Sequence, residues 1–147
     1  ETVPVEGRDY RGRGRPPQLL AEAELLELAR GAGESPRVLG SMGELLEVLR
    51  ELHPIRYGPL LGGVGTLFVT GVHTISNQND ALRFVHFIDQ LYNREVGLRL
   101  AGDLDLNELF HPSYRNSAFS RKHERCISRL GELIEEPLES AAVGNVA

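Results

Sequence analysis

Two short apolar runs flank an amphipathic segment in the middle of the chain. Residues 66–72, TLFVTGV, and 96–102, VGLRLAG, are each the length of a strand and too apolar to alternate cleanly, as is typical of strands that are buried on both faces. Two strands joined by a helix cannot pair as a hairpin, so the pattern predicts a right-handed parallel crossover. The apolar stripe of the intervening helix consists of Leu82, Val85, Ile88 and Leu91.

A capping box predicts the start of another helix near residue 41. Ser41 and Glu44 stand three residues apart at the head of SMGELLEVLREL, so that each side chain can accept a hydrogen bond from the other residue's backbone N–H. A helix of about ten residues is expected to follow. Its core positions are predicted to be Leu45, Leu49 and Leu52.

Helical spacing also appears near both ends of the chain. Residues 16–33 open with two prolines and close on glycines, the usual order for a helix start and stop. A short helix is expected at residues 103–110 and a long closing helix at residues 117–135. The predicted core positions are Leu19, Leu20, Ala23, Leu26 and Ala29 in the first helix and Phe119, Cys126, Ile127, Leu130, Leu133 and Ile134 in the last.

Together these elements predict an α/β fold, with a small, mostly parallel sheet, flanking helices and a long C-terminal helix. The 147 residues are enough for one ordinary domain, which we place at residues 18–136. Residues 137–147 show no periodicity and are expected to form a flexible tail.

Composition narrows the class of protein. The net charge of −5 argues against nucleic-acid binding, and the arginines of GRDYRGRGR, residues 7–15, are expected in a solvated segment. Cys126 is the only cysteine, so a reducing, cytoplasmic location is expected. No apolar run approaches the ~18 to 20 residues that span a bilayer. The chain begins at Glu1 without a signal-peptide pattern, which suggests a piece of a longer polypeptide.

The glycine-rich stretch GPLLGGVGT, residues 58–66, looks able to cradle a phosphate but lacks the chemistry. A P-loop carries a lysine for the terminal phosphates and then a Ser or Thr for magnesium directly after its second glycine, whereas Gly63 is followed by Val64. The loop GVHTISNQ, residues 71–78, also lacks the paired carboxylates of an ATPase. The sequence therefore predicts that this chain alone neither binds nor hydrolyses ATP.

The five histidines lack the spacing of a metal site, and no metal is expected. His73 differs from the others because it follows a predicted strand at its carboxyl end, where open α/β sheets bind ligands. It is a candidate loop contact, and an ordinary surface histidine is the alternative.

An arginine stripe runs along the closing helix. Arg121, Arg125 and Arg129 recur every four residues, which places them on one face. A charged helix face is usually solvated, and the alternative is a contact with an anion or a protein partner. The spacing leaves both interpretations open.

Four stretches of the chain match one family's motifs in the same order. They are GRDYR at 7–11, LHPIRYGPLLGGV at 52–64, ALRFVHFIDQLYNREVGLRLAG at 81–102 and ERCISRLGEL at 124–133. The chain thereby resembles the C-terminal part of the ATPase family of the bacterial cell-division protein ZapE and its mitochondrial relatives, most closely the actinobacterial type. It departs from the pattern at Asn93, where the family commonly has Asp, and in a shortened segment between RVLG and SMGEL.

The resemblance implies that the parent protein is a P-loop ATPase of AAA+ type. Its ATP- and Mg-binding loops would lie before Glu1, and residues 1–17 would be a linker from that missing core. Within the linker, the match to the family's G-x-D-Y-R implies a hinge at Asp9, Tyr10 and Arg11.

The resemblance also assigns residues on the two longest helices. Arg125 and Arg129 match the arginines of the family's R-x-x-S-R-L, which implies a nucleotide or interface contact that Ser128 braces. Asp89 matches the acid of L-V-D-x-x-Y and lies at the edge of a buried stripe. Because an unpaired buried charge is costly, Asp89 is expected to pair with an arginine or a backbone N–H.

Two functions follow as hypotheses. In the first, the chain packs on the upstream ATPase core of the same polypeptide and couples nucleotide state to a protein partner, in cell division or protein quality control. A homo-oligomer is a further candidate assembly. In the second, the chain is a free-standing protein-interaction module without nucleotide linkage. A G-x-x-x-x-G-K-[ST] motif upstream of Glu1 would favour the first.

Overall fold

The chain forms a parallel sheet with helices on both faces. The structure, a computed structural model, describes residues 19–30, 37–113 and 118–135. The predicted α/β class is confirmed. The strands are β1 (Arg37–Ser41), β2 (Thr66–Val72) and β3 (Gly97–Gly102), and the helices are α1 (Glu22–Arg30), α2 (Met42–Glu51), α3 (Tyr57–Leu60), α4 (Gln78–Arg94) and α5 (Ser120–Glu135), with 3₁₀ turns at Pro54–Arg56 and Leu106–Glu108.

The three strands lie side by side in sequence order, β1-β2-β3, and both pairings are parallel. This confirms the parallel connection predicted from β2 through α4 to β3. Successive side chains of a strand point to opposite faces. Residues that are paired across the three strands therefore form a row of side chains on one face, and the next paired residues form a row on the other face. Val38, Leu67 and Leu98 form the first row, and Leu39, Phe68 and Arg99 form the next.

The two faces of the sheet carry unequal cover. The face of Leu67 and Leu98, here called the major face, packs in one core with apolar side chains of α2, α4 and α5. The face of Phe68, here called the minor face, contacts α1 through Leu25 and Ala29. The main core therefore lies between the major face and the three longer helices.

The edges of the sheet also differ. Leu20 adds a parallel bridge to the outer edge of β3: its N–H donates to the Leu100 carbonyl at 2.9 Å, and its carbonyl accepts from Gly102 N–H at 3.1 Å. On the other edge, Val38 and Leu39 of β1 are 45% and 51% exposed.

The predicted capping box is confirmed. Glu44 N–H donates to Ser41 Oγ at 3.1 Å and Ser41 N–H donates to Glu44 Oε1 at 3.0 Å, so α2 starts where the sequence indicates. Its buried residues are Met42, Leu46 and Leu49. Leu49 was predicted to be buried, whereas the predicted core positions Leu45 and Leu52 are only partly buried.

The first helix is shorter than predicted. It begins at Glu22 because Leu20 is extended and bonded to β3. Its buried positions are Ala29, as predicted, and Leu25, which was not predicted, while Ala23 is exposed. The predicted short helix at 103–110 is a 3₁₀ turn. The predicted linker and hinge at residues 1–17 and the predicted tail at 137–147 lie outside the described residues.

Candidate functional site

The candidate site is built on α4 and α5, the two longest helices. α4 is capped at its start by Asn77, whose side chain accepts from Asp80 N–H at 3.0 Å. It is capped at its end by Glu95, which adopts a left-handed conformation with φ 57°. α5 carries the arginine stripe. Its buried residues include Cys126, Leu130 and Leu133, so the side of α5 opposite to them is available for contacts outside the core.

Arg129 is engaged within the chain. Its Nη1 donates to Asp89 Oδ1 on α4 in an ion pair, and its guanidinium lies over the Tyr92 ring, 5.0 Å from the centroid. The side chains of Arg129 and Asp89 keep 29% and 24% exposure. The pairing predicted for Asp89 with an arginine is thus confirmed, and Arg129 also joins α4 to α5.

Arg125 and Ser128 lie within one helical turn of Arg129 and are both exposed, as is Arg121. Cys126, between them in sequence, points into the core and is 1% exposed. Burial, and then the nearby Asp89 carboxylate, raise the pKa of the Cys126 thiol, so it stays protonated at neutral pH. The exposed side of α5 therefore presents Arg125 and Ser128 beside a partly exposed Arg129.

His73 lies at the carboxyl end of β2, as predicted, and is exposed. Its Nδ1 is 3.0 Å from the carbonyl oxygen of Thr74. The loop is fixed to the turn after β3, because Thr74 Oγ1 donates to the Glu108 carbonyl at 2.7 Å and Ile75 pairs with Phe110. Asp9, Tyr10 and Arg11 lie outside the described residues, so the structure does not place them with α5.

A second charged cluster was not predicted. Arg50 of α2 donates from Nε and Nη2 to the two carboxylate oxygens of Asp80 at 3.1 and 3.3 Å, and Arg83 donates to Oδ1 at 3.1 Å. The hydrogen bond to Asp80 is the largest cause that raises the pKa of Arg50. An acid in the first turn of a helix is itself favourable, but nothing in the sequence pairs Asp80 with a residue thirty positions earlier.

Arg99 is a second residue that the sequence did not single out. It lies inside the apolar run of β3 and is buried, with Nη1 donating to the carbonyl oxygens of Leu98 at 2.7 Å and Leu133 at 3.3 Å. Leu133 is in the last turns of α5, where a cation complements the helix dipole. Arg99 therefore anchors the carboxyl end of α5 to the sheet.

A cavity of about 380 Å³ lies between the 3₁₀ turn at Leu106–Glu108 and the start of α5. Phe110 and His123 line it and stack on each other, with ring centroids 4.5 Å apart and planes inclined by 14°. Burial lowers the pKa of His123. This imidazole is consequently neutral at physiological pH.

The residues of this chain do not fit the phosphate-binding chemistry of a P-loop. Lys122 is the only lysine in the sequence. It lies on α5, and its Nζ is over the ring of Phe119, the residue before that helix, 5.7 Å from the centroid. In the glycine-rich stretch, Gly58 belongs to α3, and a Cβ there would lie 2.5 Å from Arg94 Nη2. Within the described ranges, no group of three or more His, Cys, Asp or Glu could hold a metal ion.

Comparisons with known proteins assign a family. A model of the AFG1-like ATPase family matches residues 44–140, more than half of the chain, from α2 through α5. Searches of curated proteins and of solved structures gave no significant match. None of the helices in the described part of the chain is long and apolar enough to cross a membrane.

Proposed function

The chain belongs to the AFG1-like ATPase family, and on that premise we propose that it is the C-terminal portion of a ZapE-like ATPase. It packs on the ATP-hydrolysing core of the same polypeptide and couples the nucleotide state of that core to a protein partner. The ZapE-like and actinobacterial assignment is supported by the four motif stretches, and the single cysteine supports a cytoplasmic location.

One observation carries the proposal. The family match covers residues 44–140, yet the only lysine in the chain is on α5 and no Gly-x-x-x-x-Gly-Lys-Ser/Thr motif is present. Phosphoryl transfer relies on such positioned cations and on magnesium. The groups that bind ATP and Mg²⁺ therefore belong to another part of the parent, to which residues 1–17 are the proposed linker and Asp9, Tyr10 and Arg11 the hinge.

The exposed side of α5 is the proposed coupling surface. Arg125 and Ser128 are exposed on it, and an arginine fork binds a phosphate or a carboxylate with two parallel hydrogen bonds. Arg129 holds α5 against α4 through Asp89 and keeps part of its guanidinium exposed beside Arg125. His73 is proposed as a loop contact, and a second copy of the parent is one candidate partner.

The experiment compares this chain with the parent polypeptide. A fluorescent ATP analogue is titrated into each, with and without Mg²⁺, and ATP turnover is measured for both. We expect binding and turnover from the parent and neither from this chain. Magnesium-dependent binding by the chain with Kd in the micromolar range, about −8 kcal/mol, would overturn the proposal, as would a parent sequence without a P-loop motif.

The alternative function is a free-standing protein-interaction module. It is favoured by the exposed apolar residues Val38 and Leu39 on the edge strand β1, because an open strand edge can pair with another protein. If the parent has no P-loop motif and turns over no ATP, this alternative replaces the first function.

A further inference from the structure

The two edges of the sheet differ in how the chain closes them. The outer edge of β3 receives Leu20, with two backbone hydrogen bonds. Among the described residues, β1 pairs with β2, and no strand pairs with the outer edge of β1. An open edge with unpaired backbone groups is a template for another strand.

The hydrophobic rows of both faces continue onto this open edge. Val38 lies beside Leu67 on the major face and Leu39 lies beside Phe68 on the minor face. The inner members of these rows are buried, at 8% and 0% exposure, whereas Val38 and Leu39 are about half exposed. Natural edge strands are usually blunted by charge or proline. β1 carries one charge, Arg37 at its first residue, and Pro36 precedes it, whereas its remaining residues, Val38 to Ser41, carry neither.

We propose that β1 is the junction at which the sheet of the parent's ATPase core continues into this domain. A strand of the core pairs with the outer edge of β1, and core side chains cover Val38 on one face and Leu39 on the other. This inference rests on the proposed function, because it takes the ATPase core as the occupant.

The chemistry of the surface favours this occupant. A single docked helix covers one face of a sheet, whereas the exposed side chains of β1 point to both faces. Parallel sheets of α/β proteins carry helices on both faces, and a P-loop core is built from strand–loop–helix units of this kind. A strand of the ATPase core would therefore pair with the backbone of β1, and the helices on its two faces would cover Val38 and Leu39.

A second copy of this chain is a different occupant and has a distinct signature. Two β1 edges related by a two-fold axis would pair antiparallel, and the association would depend on protein concentration. An undescribed segment of the chain itself would instead close the edge within the monomer.

Amide hydrogen exchange tests the junction. In the monomeric chain, we expect the β1 amides that do not pair with β2 to exchange quickly, and in the parent we expect their exchange to slow by about tenfold or more. Equal protection in the monomeric chain would show that its own segment covers the edge. Protection that rises with chain concentration would show a second copy. Either result overturns the inference.

The matched variants are Leu39→Glu on β1 and Ile55→Glu in the 3₁₀ turn, where the wild-type side chain is 76% exposed. Both should leave the melting temperature of this chain nearly unchanged. In the parent, Leu39→Glu should restore fast exchange of β1 and lower ATP turnover by about tenfold, while Ile55→Glu should do neither. If the parent hydrolyses ATP but its β1 exchanges as in the chain, the junction is wrong and the proposed function stands. If the parent has no P-loop motif and no turnover, the proposed function fails first.

Discussion

Asp89 of α4 and Arg129 of α5 form an ion pair across forty residues of sequence. Three residues further along both helices, Tyr92 Oη donates to Glu132 Oε1 at 2.8 Å. Because both contacts join residues forty positions apart, α4 and α5 run in the same direction where they pack together. These two contacts with α4 therefore fix the position of α5 and of the arginine stripe that it carries.

The first prediction concerns Asp89. Asp89→Asn removes the charge that neutralises Arg129, and we expect a loss of about 1 to 2 kcal/mol in the free energy of unfolding, since a charge-assisted bond is lost at a partly exposed site. Urea unfolding of the chain measures the change. Asp103→Asn, at an exposed position, is the control and should stay within about 0.5 kcal/mol. An unchanged stability for Asp89→Asn would contradict a structural role for the pair.

The second prediction separates the three arginines. In this chain, Arg129→Ala should lower the unfolding free energy by about 1 to 3 kcal/mol, because Asp89 loses its partner, while Arg125→Ala and Arg121→Ala should each change it by less than about 0.5 kcal/mol. A double-mutant cycle with Asp89→Asn should give a coupling energy for Arg129 and none for Arg121.

In the parent, Arg125→Ala should reduce ATP turnover about tenfold, equivalent to about 1.4 kcal/mol in the barrier, with Arg121→Ala as the matched control. For Arg129→Ala, turnover is compared at a temperature where the variant remains folded. Loss of turnover there supports the predicted interface contact. Full turnover would limit Arg129 to its role between α4 and α5.

The third prediction is a pH dependence from His123. Its folded pKa is lowered by burial, so the unfolded chain binds a proton more readily, and stability from this group is present above about pH 6.5 and is lost as pH falls towards the folded pKa. Urea unfolding at several pH values should show a smaller loss on acidification for His123→Phe, which keeps an aromatic ring against Phe110. His86→Gln, at an exposed position, should retain the wild-type slope. Parallel slopes for wild type and His123→Phe would refute the assignment.

The fourth prediction compares two glycines. A Cβ at Gly102 would lie 2.6 Å from the carbonyl oxygen of Val72, a backbone atom, whereas at Gly58 the nearest atom is the end of the Arg94 side chain. Since backbone in a sheet yields less than a flexible side chain, Gly102→Ala should cost about 2 kcal/mol or more, and Gly58→Ala clearly less. Thermal melting of both variants gives the order, and a more stable Gly102→Ala would contradict the close approach to β2.

Local patterns in the sequence were sufficient to predict several elements of the fold. The β2–α4–β3 unit and the capping box at Ser41 depend on neighbours within a few residues, and both are found as predicted. The start of α1 was misplaced because Leu20 bonds to β3, about eighty residues later. A prediction from the spacing of neighbouring residues cannot identify a partner so distant in sequence.

Dependence on residues distant in sequence also explains why the partners of the charged residues were not predicted. Asp89 was expected to have a partner because its place beside a buried stripe makes an unpaired charge costly, yet the sequence could not select Arg129. Arg99 and Asp80 were missed for a related reason. Arg99 is satisfied by carbonyl oxygens on its own strand and on α5, and Asp80 by an arginine on α2, so their burial depends on tertiary contacts alone.

The order of the strands has a consequence for how the chain folds. β1, β2 and β3 are neighbours in space in the order in which they are synthesised, so each new strand meets an edge that already exists. Both crossovers are also much shorter than the segment between Leu20 and β3. The bridge from Leu20 to Ala101 is different, because it joins the start of the described chain to its third strand. During synthesis this bridge is completed only after β3 emerges, so the outer edge of β3 closes late, whereas β1 gains β2 early.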